Sequence, residues 1–279
     1  MPELPEVETI ARALRQGGRG AAPVLGARII AVQVLWPRSV AEPSPAGLAT
    51  QVVDATVAGV ARRGKYLSLR LTRLPITRHL VIHLRMSGDL TVLPPEAPAP
   101  RHARVLFALH DGRRLVFNDP RKFGRLWLLP DPTPLFAPLG PEPFDENLTP
   151  TAFHQRLQRH RRRLKPLLMD QRFLAGLGNI YADEALFLAC LHPLIPAKAL
   201  SEKQAATLLQ AIRQVLREGI ARNGTSIDWM YQGGNYQRYL RAYGRTGQPC
   251  PRCGTPIARI RVAQRSAHFC PVCQPPPED

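Results

Sequence analysis

The chain has 279 residues, a length that predicts two domains with separate cores. Its 38 lysines and arginines against 21 acidic residues give a net charge of +17. Residues 1–150 hold 19 basic and 13 acidic side chains (+6), and residues 151–279 hold 19 and 8 (+11). Such a charge suits nucleic acid or an anionic membrane surface. Apolar runs fall far short of the roughly 20 residues of a spanning helix, and the N-terminus is acidic where a signal peptide is basic. We therefore expect a cytoplasmic protein that does not bind membranes.

The first 130 residues combine one helical pattern with many strand patterns. Directly after the start of the chain, apolar residues recur at helical spacing, at Val7, Ile10, Ala11 and Leu14. From Ala27 to Leu128, short runs rich in Val, Leu and Ile alternate with turn residues. This second pattern predicts either a β-sandwich or a β-barrel.

A proline-rich segment separates this part from a helical part. Six prolines lie between Pro130 and Pro143 and cannot join the interior of a sheet or a helix. We place a domain at residues 1–130, a linker at 131–150, a helical domain at 151–240 and a cysteine module at 241–279. The helical domain is predicted to contain one basic helix over 149–165, a second over 179–191, and a third that Ser201 opens and Gly224 caps.

Four of the five cysteines form two C-x-x-C pairs with sixteen residues between them, at Cys250, Cys253, Cys270 and Cys273. Each pair can hold one side of a tetrahedral Zn²⁺ as thiolates, which leaves no open position for water. The strand-like residues between the pairs fit the β-hairpin of a zinc ribbon. We expect one structural zinc, which supplies folding free energy on the order of 10 kcal/mol. Cys190 lies in an apolar helical stretch and is predicted to be part of a core.

The N-terminus carries Pro2, Glu3 and Glu6, for which two interpretations stay open. Pro2 can be an ordinary second residue, with glutamates that suit a helix N-terminus. Alternatively, removal of Met1 leaves a secondary amine whose pKa, about 8 when unperturbed, falls on desolvation. A neutral amine can attack a sugar carbon and form an iminium, and nearby carboxylates can carry protons.

Four motifs together resemble one enzyme family. They are PELPEVET at the N-terminus, NDPRKFG at 118–124, LGNIYADEAL at 177–186 and the four-cysteine ribbon. In this order they resemble formamidopyrimidine-DNA glycosylase over essentially the whole chain. The resemblance implies an α+β fold, in which a β-sandwich with an N-terminal helix faces a helix-two-turns-helix domain with a zinc-ribbon hairpin, and DNA lies in the cleft.

The resemblance also assigns catalytic roles by position. Pro2 would be the nucleophile and Schiff base, Glu3 the acid that protonates the opening sugar ring, and Glu6 a supporting residue. Lys65 would donate a proton in β-elimination and contact phosphate. Arg265 would contact the phosphate of the lesion and serve δ-elimination. Without the resemblance, a lysine or arginine in so basic a protein is usually a solvated charge.

Further residues would bind DNA. Met86, Arg121 and Phe123, which we call the wedge, resemble the residues that enter the space left by the flipped nucleotide, where they restore part of the lost stacking. Met86 alternates with Leu80, Ile82 and Leu84, so a place in a sheet core is an equally good interpretation of this residue. The predicted phosphate contacts are Asn179, His102 and the basic run from Arg159 to Lys165, which includes Arg161.

The chain differs from some members of this family at two positions, and one further segment resembles a functional loop of the family. The chain has Ser87 where some relatives have a glutamate that touches the lesion, and His160 where some have lysine. Residues 225–239, with Gly233 and Gly234 among aromatics, resemble a lesion-recognition loop that closes over the base.

The sequence therefore predicts a monomeric, bifunctional glycosylase and abasic-site lyase that acts on oxidised purines in duplex DNA. An endonuclease VIII type enzyme for oxidised pyrimidines is the nearest alternative, although Leu4 and the full PELPEVET motif favour the purine enzyme. A non-catalytic zinc-ribbon DNA-binding protein is a second alternative, against which the presence of Pro2, Glu3, Lys65 and Arg265 counts.

Overall fold

The computed structural model describes residues 1–226 and 233–277, and these form two compact units. The first unit contains Met1–Pro138 together with Asn223–Gly234, and the second contains Leu139–Arg222 together with Asn235–Asp279. The predicted recognition loop is thus divided: its residues up to Gly234 belong to the first unit, although they follow a helix of the second unit in the chain, and its last residues, 235–239, belong to the second unit.

The first unit opens with helix α1 (Leu4–Gln16), as the apolar spacing predicts. Val7, Ile10 and Leu14 are buried on one face of this helix. Pro5 lies in the first turn, where its missing N–H has no helical partner to lose. The helix ends at Gly17, which has a φ of 85° and turns the chain away from the helix axis.

The described residues of this unit form nine strands in two sheets. The four-stranded sheet has the order β1-β7-β8-β6 and the five-stranded sheet has the order β2-β9-β5-β4-β3. The strands are β1 (Ile29–Val34), β2 (Val40–Glu42), β3 (Thr56–Arg63), β4 (Tyr66–Arg73), β5 (Ile76–His83), β6 (Asp89–Leu93), β7 (Ala103–Leu109), β8 (Arg114–Asn118) and β9 (Arg125–Leu129). Only the pairing of β2 with β9 is parallel among these strands.

One apolar core joins the two sheets and α1, which identifies the sandwich as the correct one of the two predicted architectures. Its members include Ile10 from α1, Leu69 and Ile82 from the larger sheet, and Phe107 and Phe117 from the smaller one. A helix that the sequence pattern did not predict, α2 (Pro45–Val52), contributes Leu48 and Val52 and is capped by the hydroxyl of Ser44.

The first unit also contains a short helix, α3 (Thr133–Phe136). In the second unit, the described residues form four α-helices: α4 (Pro150–Gln158), α5 (Leu164–Leu168), α6 (Asn179–Leu188) and α7 (Glu202–Ala221). The single basic helix predicted over 149–165 is wrong. The chain leaves the helix after Gln158 and starts a new one at Leu164, because Pro166 is tolerated only within a first turn. Helix α7 begins as predicted, with Ser201 and Gln204 in a reciprocal capping box.

The second unit ends in an antiparallel hairpin formed by β10 (Ala258–Val262) and β11 (Arg265–Phe269). A small apolar cluster joins Phe187 of α6 to Ile257, Cys250 and Cys270 of this module. Within the described part of the chain, no helix is both long and apolar enough to cross a membrane.

Candidate functional site

Pro2 and Glu3 are buried immediately before α1. Glu3 is the N-cap residue of this helix, and its backbone N–H donates to Oε2 of Glu6 at 2.8 Å. The first turn of the helix therefore fixes the backbone that carries Pro2, so any chemistry at the proline nitrogen takes place beside two buried carboxylates.

Glu6 also binds a segment that is 219 residues away in the chain. Its Oε1 accepts the backbone N–H of Thr225 at 2.7 Å and the Thr225 hydroxyl at 3.1 Å. Gly224 packs against the same carboxylate, and a Cβ there would lie 2.5 Å from Oε1. Glu6 thus joins the N-terminus to the start of the predicted recognition loop.

That loop is described only at its two ends. The hydroxyl of Ser226 donates to the carbonyl of Gly234 at 2.9 Å and accepts the N–H of Gly234 at 2.8 Å. These bonds close the base of the loop. Residues 227–232 of the predicted loop lie outside the described residues.

Lys65 lies in the two-residue turn between β3 and β4 and is buried. Gly64 takes the first turn position with a φ of 56°, as expected for a tight hairpin. His83 pairs with Tyr66 on the neighbouring strand, with ring centroids 4.5 Å apart, and its Nδ1 accepts the N–H of Arg85 at 3.0 Å. Burial, helped by the positive charges of Arg85 and Lys65, lowers the pKa of His83 to about 3.

The wedge residues lie on two loops of the first unit. Met86 is in the turn between β5 and β6 and is half-buried, which excludes the alternative interpretation as a sheet-core residue: the core pattern ends at Leu84. Arg121 and Phe123 lie in the loop between β8 and β9 and are exposed. The guanidinium of Arg121 is 5.1 Å from the ring centroid of Phe123, so the two side chains form one cation–π pair.

The predicted phosphate contacts have different environments. Asn179 is the first residue of α6, and its buried Oδ1 has no hydrogen-bond partner within the described residues. Arg161 is exposed in the non-helical segment between α4 and α5, whereas the His160 ring packs edge-on against Phe173 at 5.4 Å. His102 is half-buried before β7, and its carbonyl accepts the N–H of Asp119. Asn179 and Arg161 therefore retain polar groups that an external ligand can bind.

Lys165 requires a correction, because its side chain is 1% exposed and cannot meet a phosphate at the surface. Its Nζ lies 2.5 Å from Oδ1 of Asp183 and also donates to the carbonyl of Ser266. Oδ2 of the same aspartate accepts the N–H of His268 at 3.0 Å and lies 2.9 Å from its Nδ1. Lys165 therefore connects α5, α6 and β11 within the second unit.

Arg265 is the first residue of β11 and is exposed. It follows a two-residue turn, Ala263 and Gln264, in which both residues have positive φ, the geometry that suits a tight hairpin. The hairpin therefore presents Arg265 at its tip, and the buried contacts of Asp183 with His268 hold the strand that carries it.

The four predicted zinc ligands lie together, with all Sγ atoms within 4.8 Å of one another. Cys250 and Cys273 are 4.0 Å apart, Cys253 and Cys270 are 3.4 Å apart, and Cys253 and Cys273 are 3.5 Å apart. A tetrahedral Zn²⁺ with bonds of about 2.3 Å requires sulfurs about 3.8 Å apart. The cluster fits one structural zinc, as predicted.

Cys190 is not part of a core. It is exposed, with a φ of 55°, and its Sγ lies 2.7 Å from the guanidinium of Arg252. The same guanidinium donates to the carbonyls of Phe187 and Leu188 at the end of α6. The helix ends at Leu188, two residues before Cys190, so the helical periodicity that suggested a buried Cys190 no longer applies there.

Sequence reasoning missed two acidic residues that organise the second unit, although both lie in the LGNIYADEAL motif. Asp183 holds β11 as described above. The neighbouring Glu184 is fully buried and accepts three backbone N–H groups at 2.8–2.9 Å, from Arg241, Ala242 and Tyr243. Burial raises the pKa of Glu184, and these N–H groups oppose the shift. The two carboxylates fix the cysteine module to α6.

Comparison with known proteins agrees with this architecture. Family models match three regions: the formamidopyrimidine-DNA glycosylase N-terminal domain at residues 1–126, the H2TH domain of the same enzymes at 139–230, and the zinc finger found in FPG and IleRS at 247–276. The formamidopyrimidine-DNA glycosylase of Herpetosiphon aurantiacus is 47% identical, covering 98% of this chain and 100% of the relative. That of Enterococcus faecalis is 40% identical, covering 98% and 97%.

Solved structures give the same result. A Lactococcus lactis formamidopyrimidine-DNA glycosylase bound to DNA with an AP site has a TM-score of 0.89 and 37% identity, covering 98% of this chain and 100% of that one. The enzyme bound to DNA with an N7-benzyl-Fapy-dG has a TM-score of 0.90 and 37% identity, covering 99% and 100%. Fold, cysteine site and relatives together define a DNA glycosylase of base excision repair. The chain belongs to the formamidopyrimidine-DNA glycosylase family, with identities of 40–47% over nearly its whole length.

Proposed function

We propose that this chain excises oxidised purines, formamidopyrimidines and 8-oxoguanine, from duplex DNA and then cleaves the abasic strand. The observation that carries the proposal is the burial of Pro2 and Glu3 beside Glu6 at the start of α1. The name of the relatives and the Fapy-dG in one of the similar complexes support the purine substrate over the pyrimidine alternative.

The nucleophile in this proposal is the Pro2 nitrogen after removal of Met1. Its lone pair attacks C1′ of the damaged nucleotide, the bond from C1′ to the base breaks with the electron pair leaving on the base, and the proton of the Pro2 nitrogen passes to the departing base. Ring opening then breaks the bond from C1′ to O4′ and forms a cationic iminium between Pro2 and C1′. The low polarity of a buried site favours the neutral amine over the ammonium.

Glu3 serves as the acid that protonates O4′ during ring opening. Its side chain accepts the backbone N–H of Glu6, and its own N–H donates to Oε2 of Glu6, so the residue that follows Pro2 in the chain is held by the first turn of the helix. Glu6 serves as a supporting residue that holds this turn. A positioned proton donor contributes about 10²- to 10⁴-fold to such a step.

The iminium withdraws electrons and so permits two eliminations. Loss of a proton from the adjacent sugar carbon expels the 3′-phosphate, and a second elimination expels the 5′-phosphate. Lys65 serves the first elimination as a proton donor and phosphate contact, and Arg265 serves the second. The exposed position of Arg265 at the hairpin tip supports its contact with a phosphate, and the buried position of Lys65 in the turn between β3 and β4 favours its role as a proton donor.

Binding to duplex DNA uses the basic surface and the wedge. Asn179, Arg161 and His102 contact phosphates, while Met86, Arg121 and Phe123 occupy the space that the flipped nucleotide leaves. The exposed cation–π pair of Arg121 and Phe123 supports this role, because it offers both an apolar face and donors. We propose that the enzyme acts as a monomer without membrane contact, and its cytoplasmic location stays a prediction.

A panel of duplexes tests this function. The enzyme is incubated with borohydride and duplexes that carry 8-oxoguanine, a formamidopyrimidine or an oxidised thymine, and the cross-linked peptide is identified by mass spectrometry. We expect excision of both purine lesions to exceed that of the oxidised thymine, with the adduct on Pro2. A preference for the thymine lesion would indicate the endonuclease VIII type activity instead.

A further inference from the structure

The two loops that carry the wedge cross between the sheets at the same end of the sandwich. The chain leaves β5 at His83 and enters β6 at Asp89, and it leaves β8 at Asn118 and enters β9 at Arg125. His83 pairs with Arg125 in the larger sheet, and Asp89 pairs with Asn118 in the smaller one. The loops 84–88 and 119–124 therefore lie side by side, since their ends are neighbours in both sheets.

The Ser87 hydroxyl joins these two loops. It donates to Oδ1 of Asp119 at 2.6 Å and accepts the backbone N–H of Arg121 at 3.3 Å. Ser87 is the residue after Met86, and it is 6% exposed. A hydroxyl can donate and accept at the same time, which no apolar residue of this size can do. The bond therefore connects the loop of Met86 to the loop of Arg121 and Phe123.

Asp119 holds the second loop from inside. Its carboxylate is fully buried, and Oδ2 accepts the N–H of Gly124 at 2.7 Å, which closes the loop across five residues. Arg104 fixes the same corner by donating from Nε to the Asp119 carbonyl at 2.7 Å. A Cβ at Gly124 would lie 2.3 Å from the ring of Phe117, so only glycine permits this closure. Asp119 and Arg104 thus hold the backbone of this loop through buried and partly buried hydrogen bonds.

We propose that Ser87 and Asp119 are positioning residues that hold Met86, Arg121 and Phe123 as one preorganised wedge for extrusion of the damaged nucleotide. This rests on the proposed function, because it assumes that these three side chains enter the base stack. Ser87 does not contact the lesion in this proposal, since its hydroxyl is already bound to Asp119 and Arg121. Side chains that displace stacked bases need a backbone that stays in place during insertion. The hydrogen bonds of Ser87 hold the backbone of both loops in this way.

The experiment compares Ser87→Ala with Ser87→Thr, which retains the hydroxyl, and with Ser87→Cys, which retains the volume but bonds weakly. Ser68→Ala is the matched control, because Ser68 is similarly buried but lies on β4. Single-turnover excision is measured on an 8-oxoguanine duplex with 2-aminopurine beside the lesion, whose fluorescence reports unstacking. Cleavage of a pre-formed abasic duplex and borohydride trapping are measured in parallel.

We expect Ser87→Ala and Ser87→Cys to slow the unstacking signal and excision about tenfold, while abasic cleavage and trapping stay near the parent values. Ser87→Thr should recover most of the loss, and Ser68→Ala should behave as the parent. Asp119→Asn, which replaces one acceptor by a donor, should match Ser87→Ala. Equal slowing on both duplexes, or an unchanged fluorescence signal in Ser87→Ala, would overturn the proposal. Absence of a Pro2 adduct in the parent enzyme would instead contradict the proposed function.

Discussion

Glu6 and Thr225 are joined by two hydrogen bonds, from the Thr225 N–H at 2.7 Å and from its hydroxyl at 3.1 Å, both to Oε1. The bonds link the helix turn that carries the proposed nucleophile to the segment where the recognition loop begins. Because Glu6 is buried, loss of these bonds leaves Oε1 without its two donors from Thr225, while Oε2 keeps the N–H of Glu3, and each lost bond costs about 1–3 kcal/mol.

Gly224→Ala tests this link. The new Cβ would lie 2.5 Å from Oε1 of Glu6 and displace it, whereas Gly20, with the same φ of 79°, has nothing within 4 Å of its Cβ position. Gly20→Ala therefore measures the backbone strain alone. We expect Gly224→Ala to lower the free energy of unfolding by about 1–3 kcal/mol more than Gly20→Ala, and to slow excision as well. Equal effects in urea unfolding would show that Glu6 tolerates the displacement.

Activity should require a free Pro2 amine. Retention of Met1, or an N-terminal tag, turns the nitrogen into an amide whose lone pair is delocalised and cannot form an iminium. Glycosylase and lyase activities should be lost together, while DNA affinity changes much less because phosphate contacts lie elsewhere. Borohydride trapping followed by mass spectrometry of the N-terminal peptide checks this. A cross-link on Lys65, or full excision by a tagged enzyme, would contradict the mechanism.

Removal of a zinc ligand should unfold the cysteine module. Cys253→Ala leaves three thiolates, and a structural zinc in such modules supplies on the order of 10 kcal/mol of folding free energy. We expect loss of metal and of DNA binding, with the sandwich intact by circular dichroism. Cys190→Ala, outside the cluster, is the control and should retain one zinc per chain. Folded, active enzyme without zinc would disprove a structural role for the metal.

DNA affinity should depend steeply on salt, with a slope of log K against log[salt] near −0.9 for each phosphate neutralised. If roughly four to six phosphates are engaged, a fourfold rise in salt costs about two to three decades of affinity. Variants of the exposed Arg161 and the buried Lys165 distinguish a charge that contacts DNA from a charge that stabilises the fold. Arg161→Ala should reduce the slope by about 1.

Lys165→Met should instead leave Asp183 buried without its cation, which costs about 3–5 kcal/mol of stability. Its salt slope should equal that of the parent under conditions where the variant is folded. A reduced slope in Lys165→Met, with unchanged urea stability, would restore the phosphate contact that the sequence suggested.

His83 should make stability depend on pH. Its folded pKa of about 3 lies below the unfolded value of about 6.5, so between these values the unfolded state binds more protons. The free energy of unfolding should therefore fall as the pH falls through this window, by up to about 1.4 kcal/mol per pH unit from this group. His83→Gln should flatten the dependence. Urea unfolding of the parent and of His83→Gln at several pH values checks this dependence. At high pH, where His83 is neutral in both states, the difference between their free energies of unfolding reports packing alone.

The sequence by itself determined the features that depend on near neighbours in the chain. Helix α1 follows from apolar residues three and four apart, and the capping box of α7 follows from Ser201 and Gln204. The zinc ligands follow from two C-x-x-C pairs, because each pair presents its thiolates from one tight turn. These patterns act over a few residues, so local geometry suffices to interpret them.

Only the tertiary structure decided which polar groups meet across long separations. Glu6 binds Thr225 across 219 residues, Ser87 binds Asp119 across 32, and Lys165 binds Asp183 across 18. No periodicity encodes such pairs, because the register of the sheets and the packing of helices bring them together. Alternation left a core position open for Met86 for the same reason, because it cannot show where β5 ends and a turn begins. A lysine in a basic run looks solvated until the fold surrounds it with an aspartate and a carbonyl.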